Sequence, residues 1–163
     1  MPATGTGADA SRMDTTDAFF FPVRLTWTGG KRVLADVDGK DPIEIATPPE
    51  FESGIEGVWS PEDFLVAAAA SCFAVTLVAI AGRSRVPVSG LGVEGVGRVG
   101  KRDDGRFGFI DVTLRVEIET DETHVEGAHR AAERAERHCL VSGALAIPVR
   151  LDVTVRAVDT VPA

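Results

Sequence analysis

The side chains in this 163-residue sequence best suited to chemistry are its two cysteines, Cys72 and Cys139. A thiolate is a strong nucleophile and a neutral thiol is not, so a cysteine works only where its surroundings favour the anion. At an ordinary thiol pKa of about 8.5 only ~3% is ionised near neutral pH, and lowering the pKa by three or more units raises that fraction about thirtyfold. Cys72 sits in an almost unbroken apolar stretch, Trp59 to Ala81. Burial there raises a thiol pKa, and Cys72 is too far along its helix to gain from the N-terminal dipole. A reactive Cys72 is therefore expected to need a cation beside it. Cys139 lies too far downstream for a motif of adjacent thiols, so any pairing depends on the fold. On composition alone, two buried cysteines acting as small hydrophobes are the plainer reading.

Two helices must position these thiols. The first begins with Ser60, whose hydroxyl can accept a hydrogen bond from a free backbone N–H, followed by Pro61 at the first helical position and by Glu62 and Asp63 at the positive end of the dipole. Beyond Phe64 almost nothing is polar except Ser71 and Thr76, which predicts a helix buried on every side. Its length would span a bilayer, but four consecutive alanines and the small residues around Cys72 suit a central helix packed closely by other backbone. Gly82 to Pro87 ends it. The second helix, Asp121 to Cys139, is amphipathic: Val125, Ala128, Ala132, Ala135 and Cys139 recur at helical spacing among Glu, Arg and His, so Cys139 is expected to face inward. Ser142 is read as capping a short turn over Gly143 to Ile147.

Strands are expected over Phe19–Trp27, Arg32–Val37, Ile43–Ala46, Val93–Val99, Phe107–Thr120 and Pro148–Val158, with turns at Gly29-Gly30 and Asp103-Asp104-Gly105. In the long strand Ile110, Val112, Leu114, Val116 and Ile118 alternate, which buries one face. The fold class is α+β: antiparallel strands around a hydrophobic central helix, with a second amphipathic helix. Residues 1–17 have the composition of a disordered tail, and 18–163 suffice for one domain.

Composition narrows the function further. A net charge of −8 and a pI near 4.9 argue against nucleic acid or anionic membrane as partner. The N-terminus has no basic segment followed by an apolar core, so the expected compartment is the cytoplasm, where both cysteines rest reduced and a disulfide between them is transient. His124, His129 and His138 do not stack on one helix face, and they are read as surface histidines rather than metal ligands. A hydrolase pairing Cys72 with His138 lacks a glycine motif for an oxyanion hole. The glycines between Gly90 and Gly100 sit in an alternating strand pattern, with no Gly-Lys-Ser/Thr after them to make a phosphate loop. Neither a metal nor a cofactor is expected.

Ser60-Pro61-Glu62-Asp63-Phe64-Leu65, then Ala69-Ala70-Ser71-Cys72-Phe73, and far downstream Arg137-His138-Cys139-Leu140-Val141-Ser142-Gly143-Ala144-Leu145, resemble the OsmC/Ohr family of organic hydroperoxide reductases over about Phe19 to Val158. The resemblance implies an OsmC-like fold in an intertwined homodimer. It implies a thiol peroxidase: Cys72 thiolate attacks ROOH to give an alcohol and a sulfenic acid, Cys139 condenses with it to form a disulfide, and an external dithiol of the lipoyl type resets the pair. It also implies a basic residue beside Cys72, held by a glutamate that carries over to Glu62. The family's Gly-Gly-Arg turn stands here as Gly29-Gly30-Lys31-Arg32, so the cation is either Arg32, shifted by one residue, or Lys31. Arg32 is favoured because a guanidinium forks onto a carboxylate and stays charged when desolvated. Glu62 and Cys72 are about 15 Å apart along one helix and cannot share a small site within a chain. A shared site then needs a partner chain to supply the glutamate and the cation. This chain has Leu140 where the family has a proline. The alternative from another class is a non-enzymatic protein of this fold that binds an apolar small molecule in the dimer-interface cavity.

Overall fold

The computed structural model describes residues 18–159, so the expected tail over residues 1–17 lies outside the described residues. Strands β1 (Arg24–Gly29), β2 (Arg32–Asp36) and β3 (Ile43–Ala46) form an antiparallel sheet in that order. The β1–β2 connection is tight because Gly29 and Gly30 take φ of +117° and +55°, which side chains rarely tolerate. The first strand starts later than expected: Phe19 to Val23 lie outside it, and Pro22 within that run has no N–H to give a ladder. Register stacks Leu25 on Ala35 and Trp27 on Val33, and Ala35 and Val33 in turn on Ile43 and Ile45, which makes one face of this sheet apolar. That face stays open in the chain, with Leu25 61% and Trp27 70% exposed.

Helix α1 (Pro61–Arg83) follows. Its start is as the sequence required: the Ser60 hydroxyl accepts from the Asp63 N–H at 3.0 Å, while the Asp63 carboxylate accepts from the Ser60 N–H at 2.8 Å. Such a reciprocal cap stabilises by about 1 kcal/mol. The helix continues through Gly82, and the left-handed residue after it is Arg85, at φ +56°. The expectation that α1 is buried on every side is corrected. Ala69, Phe73, Leu77, Ile80 and Ala81 are buried, whereas Val75 and Val78 on another face are 66% and 53% exposed. Among the described residues α1 is the one helix long and apolar enough to cross a bilayer, and its buried face is built into the core.

A second sheet holds β4 (Gly90–Lys101), β5 (Phe107–Thr120) and β6 (Val149–Ala157). β4 and β5 are antiparallel, with a bulge at Arg98/Val99 that leaves Ile110 unpaired and turns Phe109 toward the core. β6 runs parallel to β5, which corrects the expectation of antiparallel strands throughout. The connection explains it: a 3₁₀ turn (Glu122–His124), helix α2 (Val125–His138) and helix α3 (Leu140–Ala144) carry the chain back across the sheet before β6 begins. Val112, Leu114, Val116 and Ile118 of β5 are buried against Phe73 and Leu77 of α1 and the alanine stripe of α2. Ala128, Ala131, Ala132 and Ala135 let α2 lie close to α1, and Cys139 ends the stripe at 3% exposure, facing inward as expected.

Candidate active site

The two thiols meet where α1 passes the elbow between α2 and α3. Cys72 lies on α1 between buried Ala69 and buried Phe73, and is itself partly buried against the core. At the elbow Cys139 leaves helical geometry (φ −70°, ψ 111°) and becomes the residue from which α3 starts. The first N–H groups of any helix have no partner within it. Here those of Leu140 and Val141, together with the Cys139 side chain and the Thr76 hydroxyl, lie near the Cys72 sulfur and favour its anion. Both cysteines are free thiols.

Burial is the largest influence on Cys72 and pushes its thiol up, but the bonds from Val141, Cys139, Leu140 and Thr76 together outweigh it. The net direction is down, so the thiolate is favoured below the ordinary thiol range. These favourable influences come from the chain's own amides, thiol and hydroxyl, and would add to that of any cation beside the sulfur. Thr76 was visible as an isolated polar residue one turn beyond Cys72. Ser142 was misread: it lies inside α3 rather than capping a later turn, and its hydroxyl donates to Cys139 Sγ at 3.2 Å. Its position three residues after a cysteine that opens a helix was the signal.

The remaining site residues stand apart from the thiols within the chain. The Arg32 guanidinium pairs with Glu44 at 2.8 Å, and the Lys31 ammonium donates to the Glu52 carbonyl. Neither is bonded to Glu62 or Cys72 among the described residues. Glu62 lies near the start of α1 with its Oε2 buried and without a hydrogen-bond partner. It borders a groove of about 750 Å³ between α1 and β4, lined mostly by small and apolar residues such as Val66, Ala70, Val93 and Phe109. Gly95 and Gly97 form its floor, where an added Cβ would come within 2.6 Å of Val66. Among the described residues no cluster of His, Cys, Asp and Glu is arranged to hold a metal ion.

Residues 54–154 match the family model described as OsmC-like protein. The chain belongs to the OsmC-like family. It is 27% identical over 138 residues to the uncharacterized protein YmaD of Bacillus subtilis (strain 168), covering 82% of this chain and 91% of that one. Its fold is also that of an OsmC-like protein of unknown function from Vibrio cholerae, at TM-score 0.77 and 19% identity over 84% of this chain and all of the other. The organic hydroperoxide resistance protein of Elizabethkingia anophelis matches at TM-score 0.70 and 22% identity, over 87% of this chain and 99% of its own. The organic hydroperoxide resistance protein OhrB of Bacillus subtilis matches at TM-score 0.61 and 22% identity, over 83% and 98%. The OsmC-like α+β fold expected from the paired cysteine motifs is thus the fold of the chain.

Proposed function

We propose that this OsmC-like protein is a cysteine peroxidase that reduces organic hydroperoxides to alcohols. The observation that carries the reading is that the fold brings Cys72 beside Cys139 at the start of α3, where the thiol and the Leu140 and Val141 amides favour the Cys72 thiolate. Cys72 thiolate attacks the distal oxygen of ROOH and the O–O bond breaks. The alkoxide takes a proton to leave as alcohol, and Cys72 holds the hydroxyl as a sulfenic acid. The Cys139 sulfur then displaces that hydroxyl, which leaves as water with the Cys139 proton, and a Cys72–Cys139 disulfide forms. An external dithiol, of the lipoyl type in the family's pattern, returns both thiols. The working compartment is the cytoplasm, where the resting thiols stay reduced.

The working form in this reading is a homodimer. Three features support it: the open apolar face of the first sheet, the exposed valines of α1, and the unpartnered Glu62 Oε2. Arg32 or Lys31, on the turn and strand that carry the open face, is the cation that would complete the site with Glu62 across two chains. A second reading, an apolar ligand held beside α1 with the cysteines only structural, is favoured by the volume and lining of the α1–β4 groove.

Thiol titration separates the two. One equivalent of cumene hydroperoxide should remove both free thiols per chain in the peroxidase, and should leave them in a ligand-binding protein. Cys72→Ser should consume no peroxide while remaining folded, because a serine hydroxyl is not ionised near neutral pH. Retained peroxide turnover in that variant would refute the mechanism.

A further inference from the structure

We infer that Ser142 is a positioning residue for the resolving thiol: its hydroxyl, bonded to Cys139 Sγ at 3.2 Å, orients that sulfur toward Cys72 and supports it as its proton leaves. The inference rests on the peroxidase reading and adds to it a residue for one step only.

The geometry is specific. A serine inside a helix commonly turns its hydroxyl back to a carbonyl three or four residues earlier. Ser142 does not: the Cys139 carbonyl accepts from the Gly143 N–H at 3.0 Å, and the Ser142 hydroxyl takes the sulfur instead. Cys139 itself is 3% exposed, so water has little access to stabilise charge on that sulfur. When Cys139 attacks the sulfenic acid, its S–H bond breaks, a new S–S bond forms, and the Cys72 S–O bond breaks to release water. During that transfer the sulfur passes through anionic character, and a hydrogen bond to a charged acceptor is stronger than one to a neutral acceptor. Ser142 O–H is the donor already in place. It makes no hydrogen bond to Cys72, whose thiolate is favoured instead by Val141, Cys139, Leu140 and Thr76. Loss of the hydroxyl should therefore spare the first oxidation and slow the second step.

The test separates these steps in the full chain. Wild type, Ser142→Ala and Ser142→Thr are mixed rapidly with one equivalent of cumene hydroperoxide and quenched at intervals with dimedone, and Cys72 sulfenic acid and the disulfide are counted by mass spectrometry. In Ser142→Ala, sulfenic acid should form at the wild-type rate. Closure of the disulfide should slow about tenfold, which is about 1.4 kcal/mol in activation free energy. Dimedone adducts and, at higher peroxide, Cys72 sulfinic acid should rise accordingly. Ser142→Thr keeps the hydroxyl and should restore closure to near the wild-type rate. Closure in Ser142→Ala at the wild-type rate overturns the inference alone. So does equal slowing in both variants, or equal slowing of both steps, since either outcome reports packing rather than the hydroxyl. A wild type that forms no disulfide overturns the peroxidase reading, and this inference with it.

Discussion

Leu140→Pro should weaken Cys72 as a nucleophile without disturbing the fold. The substitution removes one backbone N–H, that of the first residue of α3, which is one of the groups that favour the Cys72 thiolate. Proline is favoured at a first helical position, and Cys139 before it already has the extended conformation that a pre-proline residue needs, at φ −70° and ψ 111°. The Leu140 side chain is 83% exposed, so its loss opens no cavity. A hydrogen bond to a charged group contributes roughly 1.5–3 kcal/mol, and because Cys72 is only partly buried, water replaces part of the lost donor and the lower end applies. About 1.4 kcal/mol is a factor of ten in proton affinity, so on the acid side of its titration the thiolate population should fall about tenfold. The sign follows from the donor: fewer hydrogen bonds to the anion move ionisation upward, toward the ordinary thiol range. Alkylation of Cys72 by iodoacetamide, followed by mass spectrometry across pH, measures this directly. The variant curve should be displaced to higher pH and should meet the wild-type curve where both are ionised. Leu140→Ala keeps the N–H and should track wild type. Superimposable curves for wild type and Leu140→Pro would show that the Leu140 amide does not hold the thiolate.

Glu62→Ala should lose peroxide consumption while both thiols remain titratable. Mixing it with Cys72→Ser chains under conditions of subunit exchange should restore roughly a quarter or more of the activity if each site draws on two chains; no recovery would assign Glu62 to its own chain. Gly97→Ala should destabilise by about 1–3 kcal/mol in urea unfolding, because the new methyl meets Val66 and Phe109 on the α1–β4 floor. The clash distances there are 2.6 and 2.7 Å, whereas Gly92, with nothing within 4 Å of an added Cβ, should accept alanine with little change. Equal stability of the two alanine variants would mean that α1 and β4 are not held at this spacing.

Features set within one element were legible in the sequence. The Ser60-Pro61 start of α1, the alternation of β5 and the alanine stripe that turns Cys139 inward follow from capping and periodicity, which act over a few neighbouring residues. Alternation looks the same in parallel and antiparallel strands, so the direction of β6 was not legible; the helical return through α2 and α3 decided it. The open face of α1 was equally hidden, because composition shows that a helix is apolar and not which neighbours cover it. At the site, the sequence singled out both thiols and tertiary structure brought them together. Two of the groups that favour the Cys72 thiolate are backbone amides of α3, which carry no residue signature, and they come near the sulfur only because packing lays the start of a short helix against the middle of a long one.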